Sequence, residues 1–266
     1  MGKRIGFIGC GNMGSAMLSG ILKKDIFQRD EIIVSHLTQE GAARSKEKYG
    51  VRTVLDNKEV VKNAEIVFLA VKPQFYEEVL SEIKEELSTE HVLISLAPGK
   101  TLEWLEEKCG KPLKIVRLMP NTPAQVGEGM TGACYNEKMT EEDLTLLKTI
   151  TDSFGKTEFV PERLMDAVVA ASGSSPAYVY IMIEAMADAV VSLGMPRKQA
   201  YSFVAQAVLG SAKMVLETGK HPGELKDMVC SPAGTTIEGV RTLEKLGFRS
   251  AVYEALKASA DKGKKL

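Results

Sequence analysis

The sequence predicts an α/β protein whose N-terminal region is a doubly wound parallel sheet and whose C-terminal region is all-helical. Three observations predict this arrangement. Short apolar runs alternate with amphipathic stretches over about the first 160 residues, which is typical of a parallel sheet with helices on both faces. After Pro161 the strand patterns end and only helical patterns follow. A glycine-rich segment over residues 9–14 directly follows the first apolar run.

Strand-like runs recur at short intervals in the first region. The strongest are residues 3–8, 31–34, 66–71, 92–96 and 115–119, and two shorter runs near residues 131–135 and 157–160 are able to extend the same sheet. The run at residues 66–71 is almost wholly apolar, as expected of a parallel strand that is buried on both faces. Amphipathic stretches such as residues 76–87 predict the connecting helices.

Helical patterns fill the second region. Ser175 and Pro176 predict an N-cap followed by proline at the first helical position, so that a helix covers residues 177–193 and stops at Gly194. Later helices are predicted over residues 196–219, 236–246 and 250–260. We therefore predict two domains, residues 1–160 and residues 161–266.

The helix predicted over residues 177–193 is apolar around much of its circumference. A helix of that kind has to be buried on most sides. A domain of about 100 residues has a limited core, so packing against a second copy of the chain is the favoured way to bury it. The sequence thus predicts a homodimer or a larger homo-oligomer, with burial inside a single chain as the alternative.

Composition and charge exclude several classes of protein. Hydrophobic residues make up 44% of the chain and charged residues 26%, which argues against a disordered or fibrous protein. The 34 basic residues nearly balance the 35 acidic ones, so no basic excess favours binding to nucleic acid. No apolar run reaches the roughly 18 residues of a membrane span, and no secretory signal is recognisable at the amino terminus. We therefore expect a cytoplasmic protein without nucleic-acid or membrane partners.

Cysteine and histidine usage argues against metal chemistry. The cysteines are widely spaced and form no CxxC pair: Cys10, Cys109, Cys134 and Cys230. The histidines do not lie at metal-ligand spacing: His36, His91 and His221. Neither a disulfide framework nor a zinc site is expected, and a Ser-His-Asp hydrolase is disfavoured. The chemistry is expected to belong to a bound organic cofactor that acts on a small-molecule substrate.

Residues 9–14 match the GxGxxG pattern between a strand and a helix, the setting in which that pattern indicates a Rossmann-type dinucleotide site. Gly9 permits the tight turn, Gly11 lets the pyrophosphate approach the backbone, and Gly14 allows the helix to pack closely on the strand. The helix N-terminus presents free N–H groups to the phosphates. The predicted cofactor contacts here are Ile8, Gly9, Cys10, Gly11, Asn12, Met13 and Gly14.

The end of the second predicted strand favours NADPH. NAD-preferring sites usually carry an acidic residue there, which accepts a hydrogen bond from the ribose 2′-OH. This chain has Ser35 and His36 instead, with no acid before Glu40. Ser35, His36 and Thr38 are able to donate hydrogen bonds to a 2′-phosphate, and Arg44 is a further partner. NADPH is therefore favoured over NADH, and use of both is left open.

The segment that ends the run at residues 66–71 is expected to border the nicotinamide. Ligands of doubly wound sheets bind beyond the carboxyl ends of the strands, and this segment and Ala97 stand at two such ends. The predicted contacts are Ala70, Val71, Lys72, Pro73 and Ala97. For Lys72, an ordinary surface lysine after a strand is a nearly equal interpretation.

Five segments together resemble the pyrroline-5-carboxylate reductase family: residues 6–14, 70–74, 117–123, 172–178 and 225–239. They occur in the family's order and span nearly the whole chain. The resemblance implies reduction of 1-pyrroline-5-carboxylate to L-proline with NADPH or NADH, by direct hydride transfer to the C=N carbon of a cyclic iminium. It also implies a helical dimerisation domain, often assembled into a decamer of five dimers. Finally, it implies that Asn57, expected in an exposed loop, contacts the cofactor ribose.

Residues 231–236 precede a predicted helix and carry the expected substrate site. Backbone N–H groups at a helix start form a nest for a carboxylate, aided by the helix dipole. The resemblance implies that the Thr236 hydroxyl hydrogen-bonds the ring nitrogen, which makes Thr236 the predicted catalytic residue. The predicted substrate contacts are Ser231, Ala233, Gly234, Thr235 and Thr236. Capping of the helix by Ser231 or the threonines is the alternative, and Ala233 departs from the family's usual Gly-Gly pair.

Two other functions fit a Rossmann domain followed by helices. A β-hydroxyacid dehydrogenase needs a lysine on the interdomain helix to take the hydroxyl proton, and no lysine occurs between Arg163 and Arg197. A non-enzymatic nucleotide-sensing dimer is disfavoured by Thr235 and Thr236 beside a donor-rich loop. Reduction of another cyclic imine stays open beside reduction of 1-pyrroline-5-carboxylate.

Overall fold

The first part of the chain folds into one eight-stranded sheet. The computed structural model describes residues 3–264. The strands are β1 (Ile5–Ile8), β2 (Ile32–Ser35), β3 (Arg52–Val54), β4 (Ile66–Leu69), β5 (Val92–Ser95), β6 (Lys114–Met119), β7 (Gly129–Tyr135) and β8 (Gly155–Phe159). Their order across the sheet is β3-β2-β1-β4-β5-β6-β7-β8. Strands β1 to β6 run parallel, whereas β7 pairs antiparallel to β6 and parallel to β8.

This strand order confirms the predicted doubly wound sheet, and both shorter runs extend it as β7 and β8. The chain moves outward from β1 to β3 and then returns to place β4 on the other side of β1. Ile8 lies beside Ser35 of β2 and Leu69 of β4, so the carboxyl ends of three strands meet at one edge. An edge where the strand order reverses in this way is where doubly wound sheets bind their ligands.

Helices cover both faces of the sheet. Those of the first part are α1 (Asn12–Lys23), α2 (Gln39–Tyr49), α3 (Asn57–Asn63), α4 (Tyr76–Ile83), α5 (Leu102–Cys109), α6 (Glu141–Thr151) and α7 (Met165–Val168). One core cluster joins Phe7 and Phe68 to α1 and α6, and the other joins Ile8 and Leu69 to α3, α4 and α5. Successive residues of β1 and β4 therefore enter opposite cores, which explains why neither strand carries a polar side chain.

Strand β3 has no counterpart in the sequence prediction. It is only three residues long and lies at the edge of the sheet, with Arg52 exposed and Thr53 and Val54 half-buried. A run of this length is too short to show the alternation that identifies a strand. The amphipathic pattern over residues 76–87 overestimates α4, which ends at Ile83.

The described chain after β8 is helical, as predicted. It contains α7 and then α8 (Ser175–Ser192), α9 (Arg197–Thr218), α10 (Pro222–Val229), α11 (Thr235–Lys245) and α12 (Phe248–Gly263); α10 has no predicted counterpart. Contacts divide the chain into a sheet unit, which runs to Ser174 and resumes at Ser259, and a helical unit, Ser175–Ala258. The domain boundary at residue 160 stays a prediction. Across residues 3–264, no helix has both the length and the apolar character needed to cross a bilayer.

The predicted N-cap at Ser175 is wrong. Helix α7 passes without a break into a π-helical segment, Val169–Ser174, which continues into α8. Pro176 has no N–H, so the Ser172 carbonyl, four residues earlier, lacks its usual helical donor. Asn121 Nδ2 donates a hydrogen bond to that carbonyl at 3.0 Å. A side chain from a distant part of the sequence thus satisfies the group that the proline leaves unpaired.

Large apolar side chains of the helical unit are exposed. In α8, Ala187 is buried, whereas Tyr180 and Ile181 are 58% and 65% exposed. An apolar cleft of about 550 Å³ opens between α8, α11 and α12. The expectation that α8 is buried on most sides is therefore not met within one chain. Exposed apolar surface of this kind is typical of faces that another protein surface covers.

Candidate cofactor and substrate sites

The turn between β1 and α1 is built around Gly9. Its φ is +82°, in the left-handed region that residues with a side chain rarely adopt. A Cβ at this position would lie 2.9 Å from Cγ1 of Val71 and 3.1 Å from the Ala70 carbonyl oxygen. The turn therefore requires glycine both for its conformation and for its close approach to the chain after β4.

Gly11 and Gly14 differ in what a side chain would meet. A Cβ on Gly14 would lie 3.3 Å from the Cβ of Ala70, so this glycine lets α1 approach the end of β4. A Cβ on Gly11 would meet no described atom within 4 Å. Gly11 is also the N-cap of α1, and it offers no side-chain acceptor to the first N–H groups of the helix. The open side of Gly11 and these donors form a cradle that fits a diphosphate.

A polar pocket of about 170 Å³ lies between the glycine turn and α2. It is lined by Cys10, Ser15, His36, Gly41, Arg44, Ser45, Lys48 and Tyr49. His36 Nε2 is buried and has no hydrogen-bond partner among the described residues. Burial, and after it the positive charge of Arg44, lowers the pKa of His36. The cations Arg44 and Lys48 on the wall of this pocket fit a ligand group that accepts hydrogen bonds and carries negative charge.

The structure brings the predicted residues Cys10, His36 and Arg44 together in this pocket and adds Lys48, which sequence reasoning missed. Arg44 and Lys48 both belong to α2. Their spacing of four residues places them on one helical face, and this spacing is the signal that could have identified Lys48. Thr38 is the N-cap of α2, where its hydroxyl oxygen accepts a hydrogen bond from the Gly41 N–H at 3.1 Å.

Ser35 and Asn57 form a hydrogen-bonded chain with Glu82. Ser35 Oγ donates to Asn57 Oδ1 at 2.7 Å, and Asn57 Nδ2 donates to Glu82 Oε2 at 2.8 Å. Asn57 is half-buried and is the first residue of α3, so the expected exposed loop is wrong. Glu82, on α4, has no sequence signal that links it to this site. These two hydrogen bonds fix the orientation of the Asn57 amide beside the end of β2.

The ends of β4 and β5 carry the residues predicted to border the nicotinamide. The Ala70 N–H donates to the Ile8 carbonyl at 2.9 Å, which keeps this segment against β1. Ala97 is buried, whereas Lys72 and Pro73 are exposed, and Pro73 begins a short 3-10 turn. The exposure of Lys72 is compatible with a ligand contact and with an ordinary surface position alike.

The loop before α11 is a tight turn. The Gly234 N–H donates to the Ser231 carbonyl at 3.0 Å. Helix α11 begins at Thr235, so Thr235 and Thr236 are its first two residues. Its N-cap is Gly234, and no side-chain hydrogen bond caps it. The capping alternative is therefore wrong, and the first N–H groups of α11 remain available to an anion.

Ala233 adopts the left-handed conformation in this turn, with φ of +56°. That conformation costs a residue with a Cβ roughly 1–2 kcal/mol, which gives a physical reason for glycine at this position. At Gly234 a Cβ would lie 2.5 Å from Ser231 Oγ and 3.1 Å from the Ser231 carbonyl oxygen, so a side chain there would displace the Ser231 hydroxyl and crowd the turn. Alanine at position 233 therefore raises the energy of this turn relative to glycine.

Comparison with known proteins identifies the family. The chain is 50% identical over 266 residues to the pyrroline-5-carboxylate reductase of Escherichia coli, and the match covers 100% of this chain and 99% of that protein. The chain belongs to the pyrroline-5-carboxylate reductase family. Residues 162–266 match the family model of pyrroline-5-carboxylate reductase dimerisation. Residues 4–99 match the model described as NADP oxidoreductase, coenzyme F420-dependent.

Solved structures of pyrroline-5-carboxylate reductases share this fold. The protein from Coxiella burnetii superposes with a TM-score of 0.93 at 36% identity, covering 99% of this chain and 98% of that one. The pyrroline carboxylate reductase of Plasmodium falciparum, solved with NADP bound, superposes with a TM-score of 0.89 at 34% identity, covering 99% and 97%. These comparisons confirm the predicted family and the predicted fold class, a Rossmann-type sheet followed by a helical dimerisation region.

Proposed function

We propose that this chain reduces 1-pyrroline-5-carboxylate to L-proline with NADPH. The observation that carries the proposal is its 50% identity, over the full length, to a pyrroline-5-carboxylate reductase. The geometry supports it, because the reaction needs a dinucleotide cradle and an anion-binding helix start. The turn at Gly11 and the uncapped start of α11 at Thr235 provide these two features.

The coenzyme is held by the glycine turn and by the ends of the neighbouring strands. NADPH, when bound, supplies a hydride. The N–H groups beside Gly11 take the diphosphate, and Asn57 takes the ribose with its amide already oriented. Arg44 and Lys48 take the 2′-phosphate, because they are the two cations of the polar pocket, and the His36 ring forms part of the wall beside it. The segments that begin at Ala70 and Ala97 border the nicotinamide.

The substrate carboxylate is bound by the N–H groups of the turn at residues 231–236, aided by the dipole of α11. The Thr236 hydroxyl accepts the N–H of the protonated ring and keeps that proton in place. The C=N carbon then receives the hydride, and the π electrons of the bond become the amine lone pair. The iminium is already a good acceptor, so no strong base is needed. Orientation of the two reactants can supply about 7–11 kcal/mol of the barrier reduction.

Three candidate substrates distinguish this reaction from its alternatives. The oxidation of NADPH, followed by its near-ultraviolet absorbance, is measured with 1-pyrroline-5-carboxylate, with its six-membered homologue and with a 2-keto acid. We expect the highest kcat/KM with 1-pyrroline-5-carboxylate. Preferred turnover of the 2-keto acid would contradict the proposal, and so would the absence of turnover with both imines.

The pocket around His36 predicts a preference for NADPH over NADH. The double variant Arg44→Ala/Lys48→Ala removes two charged donors to a 2′-phosphate, so KM for NADPH should rise about tenfold or more. KM for NADH should not change, since NADH lacks that phosphate. Lys46→Ala on the same helix is the matched control, because Lys46 is exposed and lies outside the pocket. Equal changes for the two coenzymes would contradict the assignment.

The helical unit supports assembly with other copies of the chain. The dimerisation family model covers residues 162–266, and the apolar faces of this unit are exposed in the single chain. We propose a homodimer and, following the family resemblance, a decamer of five dimers. Light scattering on the purified protein gives the mass that distinguishes the two. The cytoplasmic location stays a prediction.

A further inference from the structure

The carboxyl ends of β4 and β5 are joined through a side chain instead of a backbone hydrogen bond. The Val92 N–H donates to the Glu65 carbonyl at 2.8 Å where the two strands begin to pair. Backbone hydrogen bonds are evenly spaced along a parallel pair, one for every second residue. Counting four residues along each strand from this bond, the regular partner of the Leu96 N–H is the Leu69 carbonyl. Instead, the Leu96 N–H donates to the Tyr76 hydroxyl at 2.9 Å, and that hydroxyl donates to the Leu69 carbonyl at 2.6 Å.

Tyr76 is held firmly in this position. Its side chain is fully buried, in the core that α4 forms with the sheet. Ser95 Oγ donates to the same phenol oxygen at 3.4 Å. Burial raises the pKa of Tyr76 to about 12, against the opposing effect of these hydrogen bonds. The phenol therefore keeps its proton at neutral pH and remains a donor to the Leu69 carbonyl.

The inserted oxygen separates the two strands directly before the residues predicted to border the nicotinamide. Ala70 follows Leu69 and stays tied to β1 through the Ile8 carbonyl, so the separation falls between β4 and β5. Ala97 follows Leu96 on the other side of it. Ligands of doubly wound sheets bind beyond these carboxyl ends, so the separation lies at the ligand-binding edge.

We propose that Tyr76 is a positioning residue for the nicotinamide half of the coenzyme. By holding the ends of β4 and β5 apart, its hydroxyl sets the distance between the segments that begin at Ala70 and Ala97. This inference rests on the proposed function. Tyr76 is buried and acts through the backbone of both segments. A ligand that carries only the adenosine half of the coenzyme does not reach these segments. Its affinity should therefore not depend on the distance between them.

The test compares two ligands on the wild-type chain and on Tyr76→Phe. NADPH carries both halves of the coenzyme, and adenosine 2′,5′-bisphosphate carries only the adenosine half. The substitution removes one oxygen, which lets the strand ends close or leaves a buried N–H and C=O unpaired. Fluorescence titration should show about a tenfold higher Kd for NADPH. Calorimetric titration should show an unchanged Kd for the bisphosphate.

Thr151→Val is the matched control for loss of a buried hydroxyl. Thr151 is fully buried in α6, where its Oγ1 donates to the Leu147 carbonyl at 2.9 Å. This variant should lose thermal stability and keep both dissociation constants. Circular dichroism shows whether Tyr76→Phe is folded, and if it is not, Ser95→Ala is measured instead. It removes a donor to the same phenol oxygen and also an acceptor for the Ala97 N–H at 3.3 Å. It therefore loosens the same strand ends and should change the ratio of the two constants about threefold.

The outcomes separate the inference from the proposed function. A selective loss of NADPH affinity supports the inference. Equal weakening of both ligands, or an unchanged Kd for NADPH, overturns it. If Tyr76→Phe is unfolded, equal weakening of both ligands or an unchanged Kd for NADPH in Ser95→Ala overturns the inference. A wild-type chain that turns over neither imine rejects the proposed function, whereas an active wild type with an unaltered Tyr76→Phe variant rejects only the role of Tyr76.

Discussion

The sheet unit and the helical unit differ in how far their apolar side chains are buried within the chain. In the sheet unit Ile5, Phe7 and Phe68 are fully buried, because the connecting helices of the same chain cover both faces of the strands. In the helical unit Phe203 and Leu216 are 66% and 68% exposed. The two units therefore show that a strongly apolar pattern predicts burial without saying which chain provides the cover. The sheet unit completes its own core, and the helical unit presents the surface that we propose a second copy covers.

The largest expected effect comes from placing a charge on the exposed apolar surface of the helical unit. Ile181 lies in the apolar cleft of α8 and is 65% exposed in the single chain. Ile181→Asp should dissociate the dimer, because an unpaired carboxylate buried at an interface costs several kcal/mol. Size-exclusion chromatography with light scattering measures the mass. Leu37→Asp, at a 97% exposed position of the sheet unit, is the control and should stay dimeric. A dimer that survives Ile181→Asp would contradict the assignment of this surface.

The sheet unit, by contrast, pairs Lys3, which precedes β1, with a buried carboxylate. Asp143 accepts hydrogen bonds from Lys3 and Lys114, each at 2.7 Å. Burial by itself would raise the pKa of Asp143, but the two ammonium groups and Thr140 outweigh it and hold that pKa well below its usual range. A folded-state pKa below the unfolded value stabilises the protein above about pH 4, and this stabilisation is lost as the pH falls toward the folded pKa.

Asp143→Asn should therefore lower the free energy of unfolding by about 3 kcal/mol at pH 7, since it leaves two partly buried ammonium groups without their partner. The difference from wild type should shrink on acidification through the folded-state pKa of Asp143. Urea unfolding at several pH values measures both effects. Asp152→Asn is the control: its pair with Lys148 is exposed and should contribute less than about 0.5 kcal/mol. If the destabilisation caused by Asp143→Asn did not change with pH, the charge of the Asp143 carboxylate would not be its cause.

The smallest expected effect concerns chemistry in the helical unit rather than assembly. Thr236→Ala removes the hydroxyl assigned to the ring nitrogen, so kcat/KM for 1-pyrroline-5-carboxylate should fall about tenfold or more. The Kd for NADPH and the mass of the oligomer should not change. Thr236→Ser keeps the hydroxyl and should retain most of the activity. An unaltered kcat/KM in Thr236→Ala would remove this residue from the mechanism.

Local sequence patterns predict much of the fold, and their failures have physical causes. The runs that became β1 and β4 are recognisable because they are buried on both faces. Arg52 and its two neighbours in β3 are not recognisable, since this short edge strand is half exposed. Ser175 and Pro176 have the chemistry of a helix start, yet the helix passes through them because Asn121 supplies the missing donor. A local pattern cannot show a partner that is distant in sequence.

The sequence by itself determined the positions that depend on backbone conformation and periodicity. Gly9 shows this for the dinucleotide turn, where the positive φ and the tight packing both call for glycine. Only the tertiary structure decided the link of Asn57 to Glu82 and the insertion of Tyr76 between Leu69 and Leu96. The reason is that conformational preference resides in a residue and its neighbours. A hydrogen bond between separate elements exists only once the sheet has brought them together.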